Sequence, residues 1–196
     1  MGNTLKRKYL TQGELLNVMA AARTGRYAER DECFINLCFI HGLRVSEICQ
    51  LRVSDINLED GVIHIRRLKN GLATTQPLLP NEIILLKKWL NVRNSWSGGS
   101  CSELFLSQKG GPISRQQVYT LLRKYGHVAG ITVPLHPHML RHSCGYALAN
   151  NGADTRLIQD YLGHRNIHHT VLYTASNSAR FVGMWKKSFI FELNGQ

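Results

Sequence analysis

Residues 56–79 read Ile56-Asn-Leu-Glu-Asp-Gly-Val-Ile-His-Ile-Arg-Arg-Leu-Lys-Asn-Gly-Leu-Ala-Thr-Thr-Gln-Pro-Leu-Leu79. Ile56 and Leu58 alternate with polar residues, Asp60-Gly61 then offers a turn, and Val62, Ile63 and Ile65 follow before Arg66-Arg67 ends the run. Asn70-Gly71 offers a second turn, and Thr74 to Leu79 reads as a third run. Successive side chains of a strand point to opposite faces, and Asp-Gly and Asn-Gly supply the positive φ that tight hairpin turns need. The stretch predicts a three-stranded antiparallel meander.

On both sides of it the apolar residues recur at helical spacing. Upstream, Thr11-Gln-Gly-Glu14 is a capping box that opens a helix through about Ala22. A second helix runs from about Ala28 to His41 and stops at Gly42; a short third carries Val45, Ile48 and Leu51. Downstream, Glu82 to Val92 is helical, and Asn94 to Ser102, rich in Ser and Gly, is a loop. Ser114-Arg-Gln-Gln117 caps a helix to about Ala129, Pro137 to Asn150 is helical with Gly152 as its stop, and Thr155 to Leu162 follows. After Gly163 a polar, His-rich stretch leads to Tyr173 and a tail. The expected fold is mainly α with a small three-stranded antiparallel β-sheet (α+β). It forms one domain over 1–196, with a short basic arm at 1–10 and a tail at about 176–196. No repeat, low-complexity tract or linker divides the chain.

With 43% hydrophobic and 19% charged residues, the 196-residue chain has globular rather than disordered composition. No apolar run approaches the roughly 18 residues of a membrane span. The segment Met1–Lys8 lacks the apolar core of a signal peptide, so a cytoplasmic protein is expected. The cysteines (Cys33, Cys38, Cys49, Cys101, Cys144) are odd in number, without C-x-x-C spacing, and read as buried free thiols. Twenty-four Lys and Arg against 13 Asp and Glu give a formal charge of +11. That excess points to a polyanionic partner, nucleic acid first, against the plainer reading of a cationic soluble surface.

Particular residues sharpen this. In His136-Pro-His-Met-Leu-Arg-His142, Pro137 suits the first position of a helix, and His138 and Arg141, three apart, share its face. An imidazole and a guanidinium beside helix N–H groups make a phosphate seat, although each histidine alone fits an ordinary surface position. In Gly42-Leu-Arg-Val-Ser-Glu47, Arg44 precedes Glu47 by three residues, which suits a local ion pair or an oriented guanidinium. Lys69 stands at a hairpin tip, either as a solvated edge charge or as an ammonium delivered into a groove. His164, His168 and His169 invite a zinc reading. Their spacing, with no acidic residue between His164 and Tyr173, does not support a metal.

Taken in order, Arg44, Lys69, His138, Arg141, His164 and Tyr173 resemble the active-site set of the tyrosine recombinases. The strings G-L-R-x-S-E, H-x-L-R-H and L-G-H and the following Tyr match as well, over about Tyr9 to Tyr173. About ten residues precede the first helix, where larger members carry a separate N-terminal DNA clamp. With H-P-H-M-L-R-H and L-I-Q-D-Y-L-G-H-R-N-I, this layout is similar to the FimB/FimE type of fimbrial phase-variation recombinase.

The resemblance implies an enzyme that cuts and rejoins DNA. Arg44 and Arg141 would bind the non-bridging oxygens of the phosphate, where loss of one such donor costs about 3–4 kcal/mol of transition-state stabilisation. Tyr173 would be the nucleophile, assisted by His138, with His164 donating to the phosphate and Lys69 protonating the departing 5′-oxygen. Glu47 and His142 would support the set. A 3′-phosphotyrosyl intermediate conserves bond energy, so no cofactor, metal or ATP is implied. The implied partners are double-stranded DNA with inverted repeats, a tetrameric synapse of identical chains, and accessory DNA-bending proteins. Expected DNA contacts are Lys6, Arg7, Lys8, Arg66, Arg67, Arg115, Arg123 and Lys124. Phe181, Met184, Trp185, Phe189 and Phe191 give the tail enough apolar area to contact another protomer, or to pack on its own domain. Alternatives are a type IB topoisomerase, a plasmid or phage integrase or resolvase of the same family, and a non-catalytic DNA-binding regulator.

Overall fold

Thr11 accepts the Glu14 N–H at 3.3 Å while Glu14 accepts the Thr11 N–H at 2.8 Å, closing the capping box that starts α1 (Gln12–Arg23). This computed structural model describes residues 7–67 and 71–175; Lys6, Lys69 and the tail at 176–196 lie outside the described residues. The chain continues through α2 (Ala28–Ile40), α3 (Val45–Gln50), a 3-10 turn (Val53–Asp55), β1 (Ile56–Asn57), β2 (Val62–Ile65) and β3 (Thr74–Pro77). The helices α4 (Pro80–Arg93), α5 (Arg115–Val128), α6 (Pro137–Asn150), α7 (Thr155–Leu162) and α8 (His168–Ala175) follow.

The meander forms as expected, an antiparallel sheet in the order β1-β2-β3. Ile56 pairs with Ile63, and Ile63 in turn with Gln76. This register turns Ile63 and Ile65 into the core and His64 out, and it carries Gln76 inward as well. The main core joins Phe34 and Leu37 of α2, Ile48, Ile63, Leu86, Trp89, Phe105, Leu122 and Leu140. A smaller cluster holds Cys144, Ala149, Ile158, Leu162 and Tyr173. Cys33, Cys38 and Cys144 are buried, and the five cysteines are free thiols.

Two elements depart from expectation. Helix α4 begins at Pro80, whose missing N–H costs nothing at a first helical position, and Glu82 accepts the Leu79 N–H at 2.9 Å. Helix α8 occupies the His-rich stretch, where a polar run had suggested no element. It buries Thr170, Tyr173 and Thr174, a helical spacing written largely in hydroxyl residues.

Arg93, buried at the end of α4, fixes the loop after it. Its guanidinium donates to the carbonyls of Gly99 at 2.7 Å, Cys101 at 2.6 Å, Glu103 at 2.6 Å and Leu104 at 3.0 Å.

Candidate active site

The site begins where α2 ends. Gly42 has φ +56, and a Cβ there would stand 2.4 Å from Leu162 Cδ2, so a side chain at this chain reversal would be strained and would displace Leu162. It delivers Arg44 to the N-cap of α3. Glu47 folds back, accepting the Arg44 N–H at 2.9 Å on Oε2 and Arg44 Nη1 at 2.6 Å on Oε1. Burial opposes the Glu47 charge, but Arg67, the Arg44 hydrogen bonds and Arg141 hold its carboxyl below the usual range.

Helix α6 supplies the next groups. His138, Arg141, His142 and Gly145 recur at i, i+3, i+4 and i+7 and form one stripe along it. Arg141 is buried and donates to the Gly42 carbonyl and, at 2.7 Å, to that of Leu162. Burial, with Arg44 and Arg67 nearby, pushes its pKa down to about 9, so it stays charged at neutral pH. Three guanidinium groups thus share the single carboxylate of Glu47, and the surplus positive charge suits an anion.

Gly163, at φ +65, ends α7 and sends the chain to His164. His164 Nδ1 pairs with Thr170 Oγ1 at 2.9 Å, which fixes the ring. Burial and then Arg141, Arg44, His169 and Arg67 push its pKa down to about 3, leaving a neutral imidazole.

Tyr173 completes the group from α8. It is 2% exposed, and its hydroxyl lies 3.1 Å from His142 Nδ1. The ring lies nearly parallel to His164, with centroids 6.5 Å apart, and edge-on to Tyr146 at 5.2 Å. Beneath it is bare backbone: a Cβ on Gly145 would stand 2.6 Å from the ring. Burial pushes the phenol pKa up to about 12, against the pull of Arg141 and Arg44 and with a push from Cys144 and Tyr146. Burial first, then His138, Arg141, Lys8 and His136, pushes His142 down to about 4. At neutral pH a neutral imidazole therefore meets a neutral phenol beside a cationic cluster.

The structure thus gathers Arg44, Glu47, Arg141, His142, His164 and Tyr173. His138 is exposed on the α6 stripe, and Lys69 lies outside the described residues. Among the expected DNA contacts, Lys8, Arg115, Arg123 and Lys124 are exposed, Arg66 is exposed but paired with Asp55 at 2.7 Å, and Arg7 pairs with Glu14. Arg67 requires a correction. It was expected at the DNA surface, but its side chain is fully buried and bonded to Glu47, so it has no face to offer DNA. Arg66 and Arg67 follow the end of β2 and continue its alternation, so that Ile65 and Arg67 turn inward and Arg66 outward. Sequence reasoning also missed Gly145, whose signal was a lone glycine inside a helical pattern.

The model of the phage integrase family matches residues 8–180. The chain belongs to the phage integrase family of tyrosine recombinases. Two relatives of this recombinase are type 1 fimbriae regulatory proteins of Escherichia coli (strain K12). FimB is 56% identical over 183 residues, covering 93% of this chain and 92% of FimB. FimE is 50% identical over 184 residues, covering 93% of each. Among solved structures, XerH recombinase bound to difH substrate in a pre-cleavage complex superposes with a TM-score of 0.76 at 28% identity. That match covers 91% of this recombinase and 54% of the XerH chain, so this recombinase spans about half the length of XerH. No helix among the described residues is long and apolar enough to cross a membrane.

Proposed function

We propose that this recombinase cuts and rejoins DNA through a phosphotyrosyl bond to Tyr173, inverting a promoter-bearing element and so switching fimbrial expression. One observation carries the chemistry: Tyr173 is held against His142 while Arg44 and Arg141 converge on the same small volume from different helices. The likeness to FimB and FimE carries the fimbrial assignment.

Arg44 and Arg141 neutralise the scissile phosphate, with His164 and His138 donating to its oxygens. The Tyr173 proton passes to His142, the imidazole in contact with it, and the phenolate oxygen bonds to phosphorus as the P–O5′ bond breaks. Lys69 protonates the departing O5′. A 5′-hydroxyl from a partner strand then attacks the phosphotyrosine, releasing Tyr173, and the number of P–O bonds is unchanged.

Lys6, Arg7, Lys8, Arg66, Arg115, Arg123 and Lys124 serve the DNA backbone in this reading, with double-stranded inverted repeats as substrate in the bacterial cytoplasm. Identical chains pair the repeats in a tetrameric synapse through the tail at 176–196, aided by DNA-bending proteins.

The test is an inversion assay on a plasmid carrying the inverted repeats found beside the gene, scored by restriction pattern. Wild-type protein should invert the segment and Tyr173→Phe should not. Relaxation of supercoils without inversion, or binding without cleavage, would overturn the proposal.

A further inference from the structure

The buried Arg67 has too many partners for a side chain that only fills space. Nη1 donates to Glu47 Oε2 at 2.9 Å and to the Gly42 carbonyl at 3.3 Å; Nη2 donates to the carbonyls of His41 at 2.9 Å and Tyr161 at 2.8 Å. These partners belong to the turn that presents Arg44 and to α7, the helix that leads through Gly163 into His164. Gly163 completes the fit, since a Cβ there would stand 2.7 Å from Arg67 Cγ. From the neighbouring strand, Gln76 Nε2 donates to the same Tyr161 carbonyl at 2.8 Å, and its Oε1 meets His41 Nδ1 at 2.7 Å. Both strands of the hairpin are thereby anchored to the two segments that carry cationic or phosphate-facing groups.

We infer that Arg67 is a positioning residue that keeps Arg44 available to the scissile phosphate, a role that rests on the strand-transfer reading above. Glu47 is shared: Oε1 faces Arg44 and Oε2 faces Arg67. While Arg67 balances the carboxylate, Arg44 keeps its charge for the phosphate. Without Arg67, the carboxylate keeps Arg44, already paired with it at 2.6 Å, as its remaining direct ion-pair partner, and the positive charge that DNA meets is reduced. Lysine has the charge but not the planar fork that reaches carbonyls on two segments while holding a carboxylate.

The effect should depend on the charge of the substrate, which a merely structural role would not. The measurement is covalent-complex formation by full-length protein on a suicide duplex, with either an ordinary scissile phosphate or an uncharged methylphosphonate. Arg67→Gln should bind the duplex as wild type does within about threefold, yet cleave the phosphodiester on the order of 100-fold more slowly, the scale of one lost anion-stabilising group. On the methylphosphonate the deficit relative to wild type should shrink to below about tenfold. Arg67→Gln combined with Glu47→Gln, which removes both charges, should cleave faster than Arg67→Gln alone, a coupling expected of groups in contact. This comparison also serves if Arg67→Gln melts near the assay temperature, because the double variant lacks the unbalanced carboxylate. Equal deficits on both substrates, or a double variant no faster than the single one, would overturn the role. Failure of wild-type protein to form any adduct would instead overturn the strand-transfer reading.

Discussion

The Tyr173 hydroxyl stands 3.1 Å from His142 Nδ1, and burial keeps both partners uncharged, the phenol at about 12 and the imidazole at about 4. In the DNA-free chain the proton therefore rests on oxygen, and a phosphodiester must be present before its loss is useful. Tyr173→Phe should bind the recombination site and leave no protein–DNA adduct on a denaturing gel. His142→Asn should slow adduct formation by about 10²-fold or more, as loss of a general base does. An undiminished rate in His142→Asn would return the proton to His138.

Gly145→Ala tests the seat of the ring. The new methyl would sit 2.6 Å from Tyr173 carbons, so the ring must move. Overpacking of this kind costs about 1–3 kcal/mol, visible in thermal melts. The adduct rate should fall by more than tenfold on the order of the displacement of a near-attack geometry, while DNA affinity in a gel shift stays near wild type.

Acid should weaken the fold through two buried imidazoles. His142 and His164 are lowered to about 4 and about 3, whereas in the unfolded chain they titrate near ~6.5. Between those values the unfolded chain takes up protons that the folded chain refuses. Stability should be full above about pH 6.5 and decline as pH falls through 6 and 5 toward the folded values. Urea midpoints across this range provide the check, with a shallower decline expected for His142→Asn. A flat profile would contradict the buried neutral state of both rings.

Lys69 is tested through its leaving group. An alkoxide departs poorly without a proton, whereas a bridging 5′-sulfur leaves as a thiolate whose thiol has a pKa near ~8.5. Lys69→Ala should be slow on ordinary DNA and largely rescued on the sulfur-bridged substrate, and Arg141→Ala should be rescued much less. Equal rescue of both variants would assign the proton to another residue.

The sequence displayed the elements whose signals are local. Capping boxes at Thr11 and Ser114, Asp60-Gly61, and Pro137 mark their own boundaries, and the structure places helices and strands there. Arg44, Arg141 and Tyr173 were legible because their strings are short and ordered. Arg67 was not, because its direction depends on the parity of a strand and on carbonyls up to 94 positions away. Helix α8 was hidden for a related reason: its buried face includes Thr170 and Thr174, which read as polar until Thr155 and His164 are seen to bond them.

Arg93 reaches across its loop to carbonyls from Gly99 to Leu104, and the exposed serines Ser95 and Ser97 lie between the arginine and those carbonyls in the chain. Arg44 and Arg67 precede that loop; Arg141, His142, His164 and Tyr173 follow it. A chain severed between Ser95 and Ser97 would yield one fragment with two of the cations and another with the tyrosine, and neither alone could rejoin DNA. The same Arg93 clasp would then act between fragments, helping them to reassociate. The fold thus offers a natural place to make strand transfer conditional, by fusing each fragment to one half of an inducible dimer.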